Sequence, residues 1–254
     1  MRLPLEPRRA VNVIKAAETT PSVLWEIAAV LSLMEEGGLW TRNAGIRNWA
    51  AFRDSFADNT GDHMAWLYMF RAYKDKEKVS SESQLENWCD QRAISFSAMT
   101  AANKTWNTVG RVLRDANDSL HMDKIPADSM RARAAGISIF FRKMLLHSSF
   151  LNVAVYEKGQ TYRTLSENQP GLIHPSSMLR TGTWDFVIYE EFTDTSSKAY
   201  FCGVTGIDPQ WLFGVPEAAA YMEELLADPT KKNFFAVKQL VNAKERCKHN
   251  SYTA

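Results

Sequence analysis

The spacing of apolar residues divides the chain into two stretches with different periods. Up to about residue 148, apolar side chains recur every three or four positions, the period of a helix with one buried face. Pro4 and Pro7 hold the first helix back, and Val11, Ile14 and Ala17 then mark one face of a helix over Ala10 to Glu18. Thr20 followed by Pro21 predicts an N-cap and a first helical position. Val23 to Met34 is apolar almost all round, so this helix is expected to be buried on every side. Gly37-Gly38 ends it. The next helix is expected over Ile46 to Phe56. Asp62 can cap another, with Leu67, Phe70 and Tyr73 on or near one face. Ser81 and Gln84 have the capping-box spacing ahead of Leu85 and Trp88. Long helices are predicted over Met99 to Ala116 and, after a break at Pro126, over Met130 to Leu146.

From about residue 151 the period shortens to that of strands. Val153 and Val155, then Tyr162 and Thr164, predict a hairpin turning at Lys158-Gly159. Leu172-Ile173 is a short apolar run, Trp184 to Phe192 is rich in β-branched and aromatic residues, and Tyr200 to Ile207 is closed by Asp208-Pro209. Short strands separated by turn signals predict a small barrel or sandwich. Helices are expected over Glu217 to Leu226 and Lys231 to Lys248. The expectation is an α+β chain: a helical bundle over residues 1–148, then a small β-rich domain with C-terminal helices over 149–254.

Charge narrows the functional classes. Thirty basic residues nearly balance 29 acidic ones, a net charge of +1, so no global polycation is present and a nucleic-acid site must be a local patch. Arg131, Arg133, Arg142 and Lys143 form one basic cluster; Lys231, Lys232, Lys238, Lys244, Arg246 and Lys248 form another against the single acid Glu245. Such clusters contact phosphates in some proteins and are solvated faces in others. Cys89, Cys202 and Cys247 are far apart and unpaired in pattern, as in reduced intracellular chains. No run approaches the roughly 18 apolar residues of a membrane span, and the N-terminus lacks a signal peptide's apolar region. The expectation is a soluble intracellular protein with no membrane partner.

Enzyme chemistry finds little to stand on. The chain has no G-x-x-x-x-G-K-[ST] phosphate loop and no Cys/His spacing suited to a metal. Gly136-Ile137-Ser138 matches only half of a nucleophile elbow, and within a helical segment. The five histidines are scattered. Glu35-Glu36, Glu190-Glu191 and Glu223-Glu224 are adjacent pairs, whose side chains diverge by about 100° on a helix and about 180° on a strand. Neither a cofactor nor a catalytic residue is expected.

One ordered series of motifs is more specific. Tyr162-Arg163-Thr164-Leu165, Asn168-Gln169, Ile173-His174-Pro175-Ser176-Ser177-Met178-Leu179, Val187-Ile188-Tyr189-Glu190-Glu191-Phe192, Val204-Thr205, Ile207-Asp208-Pro209 and Trp211-Leu212 follow one another over the β-rich part. The series resembles the OB-fold domain of DEAH-box RNA helicases. The helical part carries a second series: Pro4-Leu5-Glu6-Pro7-Arg8, Ile27 to Ser32, Gly61-Asp62-His63, Leu67, Trp88-Cys89 and Phe150 to Ala154. It resembles the end of the winged helix and the ratchet (helicase-associated) domain of the same family, with the splicing and ribosome-biogenesis members the most similar.

The resemblance implies a ratchet-like bundle followed by an OB-fold, with single-stranded RNA as the partner and a nuclear setting. It also implies docking to RecA motor domains or to helicase and spliceosome proteins. The family's ATP-binding, hydrolysis and arginine-finger motifs have no match here, so no helicase activity is expected of these residues alone. Candidate RNA contacts are Tyr162, Arg163, Thr164, His174, Ser176, Ser177, Arg131, Arg133 and Lys143. The loop at His174 is open to two readings, a rigid turn closed by its own hydroxyls or a contact to the RNA backbone. Trp184, Tyr189 and Trp211 are expected in the core. Three family arginines are replaced by Ser97, Trp106 and Cys202, and each lost phosphate contact weakens binding and flattens its salt dependence. Two other readings stand beside this one: an interaction protein without RNA affinity, and a helicase part whose motor lies on another chain.

Overall fold

The structure is a computed structural model and describes residues 2–41, 55–117, 119–120, 130–181, 183–195 and 198–250, without the side chains of 130–135, 180–181 and 249–250. The helix expected over Ile46 to Phe56 and the break at Pro126 fall largely outside these residues. The architecture is α+β, a helical N-terminal region followed by an open sheet and C-terminal helices. It resolves into two compact units, one of residues 1–57 and 63–137, the other of residues 58–62 and 138–254.

In the first unit, α1 (Pro7–Thr19) starts on a proline, which supplies the helical φ where no hydrogen bond is owed. Thr20 makes no side-chain cap bond; Pro21 opens a single 3-10 turn that leads into α2 (Leu24–Glu36). Every residue from Leu24 to Leu33 is buried, as an all-round apolar helix requires. Gly37, at φ +58°, closes the helix with its N–H on the Leu33 carbonyl. Helix α3 (Asp62–Glu77) places Met64, Leu67, Phe70 and Tyr73 in the core. Helix α4 (Glu82–Asp90) carries the reciprocal capping box of Ser81 and Gln84. Helix α5 (Phe96–Ala116) is capped by Ser95 and packs along α2. Helix α6 (Met130–Ser149) follows, and its second half from Ser138 belongs to the second unit.

The sheet of the second unit comprises β1 (Val153–Lys158), β2 (Thr161–Thr164), β3 (Pro170–Ile173), β4 (Phe186–Ile188), β5 (Glu191–Asp194), β6 (Ala199–Cys202) and β7 (Thr205–Ile207). Their order is β5-β6-β3-β2-β1-β4-β7, with β3 and β6 parallel and the other neighbours antiparallel. The expected hairpin turns at Gly159, which holds φ +59°. The run Trp184 to Phe192 is two strands broken at Tyr189-Glu190, and Tyr200 to Ile207 is two strands broken at Gly203. The core joins Ala154, Tyr162, Ile173, Leu179, Val187, Tyr189, Phe201 and Val204.

The sheet is OB-like but open, its edge strands β5 and β7 unpaired with one another. A bare strand edge invites pairing with other chains. At β7 the backbone of residues 60–62 fills that place: Gly61 bridges Thr205, Asp62 N–H donates to the Val204 carbonyl at 2.9 Å, and Gly206 N–H donates to the Thr60 carbonyl at 2.8 Å. Gly61 has φ +128°, and a Cβ there would come within 2.4 Å of the Val204 oxygen, so the close approach needs glycine. Helices α7 (Pro209–Gly214), α8 (Pro216–Ala227) and α9 (Phe235–Asn250) complete the unit.

Candidate nucleic-acid interface

The loop after β3 is organised by its own polar atoms. His174 N–H donates to the Phe201 carbonyl at 3.0 Å, extending the β3–β6 pairing by one residue. Ser176 N–H donates to His174 Nδ1 at 3.1 Å, and Ser176 Oγ lies 2.6 Å from the same nitrogen. A ring nitrogen that accepts a backbone N–H carries no hydrogen in the neutral imidazole, which assigns the hydrogen to Nε2. Among the described residues Nε2 has no hydrogen-bond partner, and the half-buried ring meets Tyr200 edge-on at 5.5 Å. The loop therefore presents one oriented donor.

Ser177 points the other way. It is 2% exposed, and its hydroxyl donates to Asp62 Oδ1 at 3.1 Å while accepting from the Leu179 N–H at 3.1 Å. Asp62 also accepts from the Met178 N–H and the Val204 N–H, each at 2.6 Å. A buried carboxylate is tolerated only when its lone pairs are met; here one residue ties the turn at 177–178 to the start of β7. From the sequence Asp62 reads as a helix cap. Nothing in its neighbourhood signals partners more than a hundred positions away.

A second cluster gathers around Arg142. Its guanidinium lies 5.1 Å from the Trp184 ring and 4.7 Å from the Trp211 ring, and NH1 donates to the Gly206 carbonyl at 3.0 Å. Burial pulls its pKa below the ordinary arginine value, against the opposing pull of Asp58 and Asp208. Trp184 Nε1 donates to the Asn59 carbonyl at 2.9 Å. Both indoles are thus engaged with a cation and half-buried, close to the core role expected for them. Tyr189 is 6% exposed and packs on Phe201.

The structure separates the sequence candidates. Tyr162 is 1% exposed, and its hydroxyl donates to the Trp184 carbonyl at 3.0 Å. Burial raises its pKa, opposed by that hydrogen bond. Thr164 is buried and accepts the Gln169 N–H. Arg163 makes a two-pronged contact to Glu157 at 2.9 and 3.2 Å and donates to the Asn168 carbonyl at 3.0 Å. Lys143 is exposed beside Trp211, 5.4 Å from the ring. The side chains of Arg131 and Arg133 lie outside the described residues. His174 and Ser176 form one surface feature, whereas Tyr162, Thr164 and Ser177 are interior.

The three replaced arginine positions have distinct settings. Ser97 is exposed and 3.1 Å from the Ser95 hydroxyl. Trp106 is 7% exposed in a cluster with Trp25 and Phe70, with Lys74 Nζ 5.1 Å from its ring. Cys202 has its thiol pushed up by burial, opposed by its bond to Thr193. The basic C-terminal stretch is partly neutralised: Lys244 pairs with Glu223, Arg246 with Asp185 at 3.2 Å, and Lys231, ahead of α9, donates to the Ser166 carbonyl.

Residues 141–216, which include the open sheet and the His174 loop, match the oligonucleotide/oligosaccharide-binding (OB)-fold family. This domain is typical of the C-terminal region of DEAH-box helicases, and the chain is similar to that region. Two relatives carry the likeness beyond the OB-fold. The human ATP-dependent RNA helicase DHX33 is 27% identical over 211 residues, 83% of this chain and 27% of its own length. The Drosophila melanogaster ATP-dependent RNA helicase DHX33 is 24% identical over 215 residues, 84% of this chain and 28% of its own length. The chain therefore spans about a quarter of the relatives it matches. Among the described residues no helix is long and apolar enough to cross a membrane, and no group of His, Cys, Asp and Glu is arranged to hold a metal.

Proposed function

We propose that the chain is an RNA-backbone-binding accessory module of the DEAH-helicase type, which acts with an ATPase motor and is not itself one. Residues 1–148 then serve as the helicase-associated (ratchet) domain and 149–254 as the OB-fold domain with its helical tail. The observation that carries the reading is the loop at His174 and Ser176. It lies inside the OB-fold match and turns the Nε2 hydrogen outward as a donor suited to a phosphate or sugar oxygen. The RNA-helicase likeness over 83% of the chain selects RNA among the ligands of such folds. Splicing or ribosome biogenesis, and hence the nucleus, is the setting proposed.

The test is binding of a single-stranded RNA to the purified chain at two salt concentrations. Micromolar binding that weakens steeply with salt is expected. No binding at low salt would sink the reading, and salt-insensitive binding would remove the phosphate mechanism. ATP turnover by the chain alone would overturn the accessory role. A second reading, a protein-interaction module, is favoured by Trp106 filling a core where the family carries arginine, and by Val11 and Ile14 on α1, 58% and 48% exposed. It is the reading that survives if no RNA binds.

A further inference from the structure

The two edges of the sheet end differently. Residues 60–62 cover β7, whereas no described residue bonds to the outer backbone of β5. Strand β5 runs antiparallel to β6, with Glu191 opposite Cys202, Phe192 opposite Phe201, Thr193 opposite Tyr200 and Asp194 opposite Ala199. At the hairpin end the Thr195 N–H donates to the Lys198 carbonyl at 3.0 Å, in the same register. Bonded pairs alternate along an antiparallel ladder. Thr193 and Glu191 therefore also bond inward, and Phe192 and Asp194 turn N–H and C=O away from the sheet. A strand of four residues, without proline or lysine, is left with an unpaired edge.

The side chains on this edge select what can pair with it. Phe192 is half-buried, its ring 4.8 Å from Phe201 and 6.4 Å from Tyr189, and Asp194 shares its face of the strand. Glu191 and Thr193 occupy the other face. Glu191 and Asp194 are exposed, and neither forms an ion pair with a described residue. From Phe186 to Cys202 the acids are Glu190, Glu191 and Asp194, and the one base is Lys198. A second copy of the strand fits this edge poorly, because residues with outward amides must meet one another. Antiparallel pairing centred on Phe192 sets Glu190 of one copy against Asp194 of the other, and pairing centred on Asp194 sets that carboxylate against itself. Like charges directly opposite each other destabilise a sheet.

We propose that the outer edge of β5 receives a basic, extended segment of another protein, which pairs antiparallel with it and adds a strand to the sheet. The register sets the chemistry of that segment. Read from its N-terminus, it meets Asp194, Thr193, Phe192 and Glu191 in turn. Cations fit opposite the two carboxylates, and a β-branched residue fits opposite the Phe192 ring, as in other cross-strand pairs. The sequence Lys-Thr-Val-Lys has this form. Its valine and first lysine exchange main-chain hydrogen bonds with Phe192 and Asp194, and its side chains supply the selection. The proposal stands apart from the RNA-binding reading, and its failure leaves that reading untouched.

The experiment uses the full chain and a fluorescent decapeptide with Lys-Thr-Val-Lys at its centre, followed by anisotropy at low salt. A second peptide carries N-methylvaline, which keeps side chain and charge but removes the N–H that meets Phe192. A third carries Glu-Thr-Val-Glu. The protein variants are the reversal Glu191→Lys/Asp194→Lys and the neutral pair Glu191→Gln/Asp194→Asn, with circular dichroism to report folding; the neutral pair carries the test if reversal unfolds the strand. The parent chain is expected to bind the basic peptide and not the acidic one. The reversal should weaken the basic peptide about tenfold and admit the acidic one, with the neutral pair between. The N-methyl peptide should bind about tenfold more weakly than its parent. At saturation, amide exchange should slow at Phe192 and Asp194 and stay unchanged at Thr193, which is already bonded. No binding of the basic peptide overturns the proposal. So does an N-methyl peptide that binds as well as its parent, or a neutral pair that binds as tightly as the parent chain. Self-association of the chain that protects the same two amides without peptide makes the edge a contact between copies instead.

Discussion

The turn at residues 174–178 and the outer face of α5 are both polar, and they use polarity in opposite ways. In the turn, Ser177, Met178 N–H and Val204 N–H converge on Asp62, and Ser176 closes on His174. Nearly every donor is consumed in holding backbone together, and one imidazole N–H remains. On α5, Lys104 and Arg111 extend into solvent and hold nothing together. The residues that make the chain recognisable are mostly those that build it, and Lys104 and Arg111 lie outside every motif and basic cluster of the sequence.

The sharpest way to break this contrast is at Asp62. Asp62→Ala removes three acceptor contacts at a buried site and leaves two backbone N–H groups unmet. The expected loss is about 3 kcal/mol of stability or more. Amide exchange at Met178 and Val204 should accelerate ahead of the rest of the sheet. A variant as stable as the parent, with both amides still protected, would show that Asp62 is not the tie described here. The outer face of α5 should not notice the change. A matching loss from Lys104→Ala would erase the distinction between the two regions.

Next in size is Gly206→Ala. A Cβ there would stand 2.1 Å from the Trp184 ring, and Trp184 is held on its other contacts by Asn59 and Arg142. Overpacking of this kind costs about 1–3 kcal/mol. The indole must move, so near-ultraviolet dichroism should change together with the melting temperature. An unchanged spectrum would mean that Trp184 gives way freely and that the Trp184–Arg142–Trp211 stack is not a fixed element.

The legibility of these features follows from how local their causes are. The Ser81–Gln84 capping box, the all-round apolar α2 and the Gly159 hairpin each depend on a few neighbouring residues, and each is predicted from the sequence and observed. The small barrel or sandwich expected from the strands is an open, OB-like sheet, and β7 finds its outer partner in residues 60–62, more than a hundred positions upstream. No periodicity carries that pairing. Thr20 looks like a cap by residue type, yet the backbone there (φ −150°, ψ 65°) leads into a 3-10 turn and its side chain caps nothing. Of the RNA contacts that the resemblance implies, Tyr162 and Ser177 are interior and Arg163 is tied to Glu157, and burial and hydrogen bonding are tertiary facts. Along the sequence Arg142 is one of four cations in a basic cluster, whereas in the structure it lies against two tryptophans.

Arg163 sharpens the comparison at smaller magnitude, because it could belong to either class. Its contact to Glu157 is two-pronged, and both side chains are largely covered, at 25% and 21% exposed. A double-mutant cycle of Arg163→Ala and Glu157→Ala should give a coupling of about 1 kcal/mol, at the upper end for a partly exposed pair. If the guanidinium is a structural tie, RNA affinity should fall no further in Arg163→Ala than in Glu157→Ala. A loss confined to the arginine variant would move Arg163 from the turn's class to that of α5.

The smallest effect is expected at Arg246 and Asp185, which lie 3.2 Å apart with side chains 62% and 57% exposed. In water an ion pair of this exposure gains little, because screening weakens the attraction and ordering two long side chains offsets what remains. The coupling should be below about 0.5 kcal/mol and vanish in high salt. The interest lies in the ligand measurement made on the same variants. Arg246 is a cation already facing a carboxylate, whereas Lys104 and Arg111 face none. If local charge balance decides which cations meet a polyanion, Arg246→Gln leaves RNA affinity within twofold, and Asp185→Asn raises it by releasing the arginine. Equal losses from Arg246→Gln and Arg111→Gln would mean that the chain attracts RNA through its cations indiscriminately, and the neighbouring carboxylates would then explain nothing.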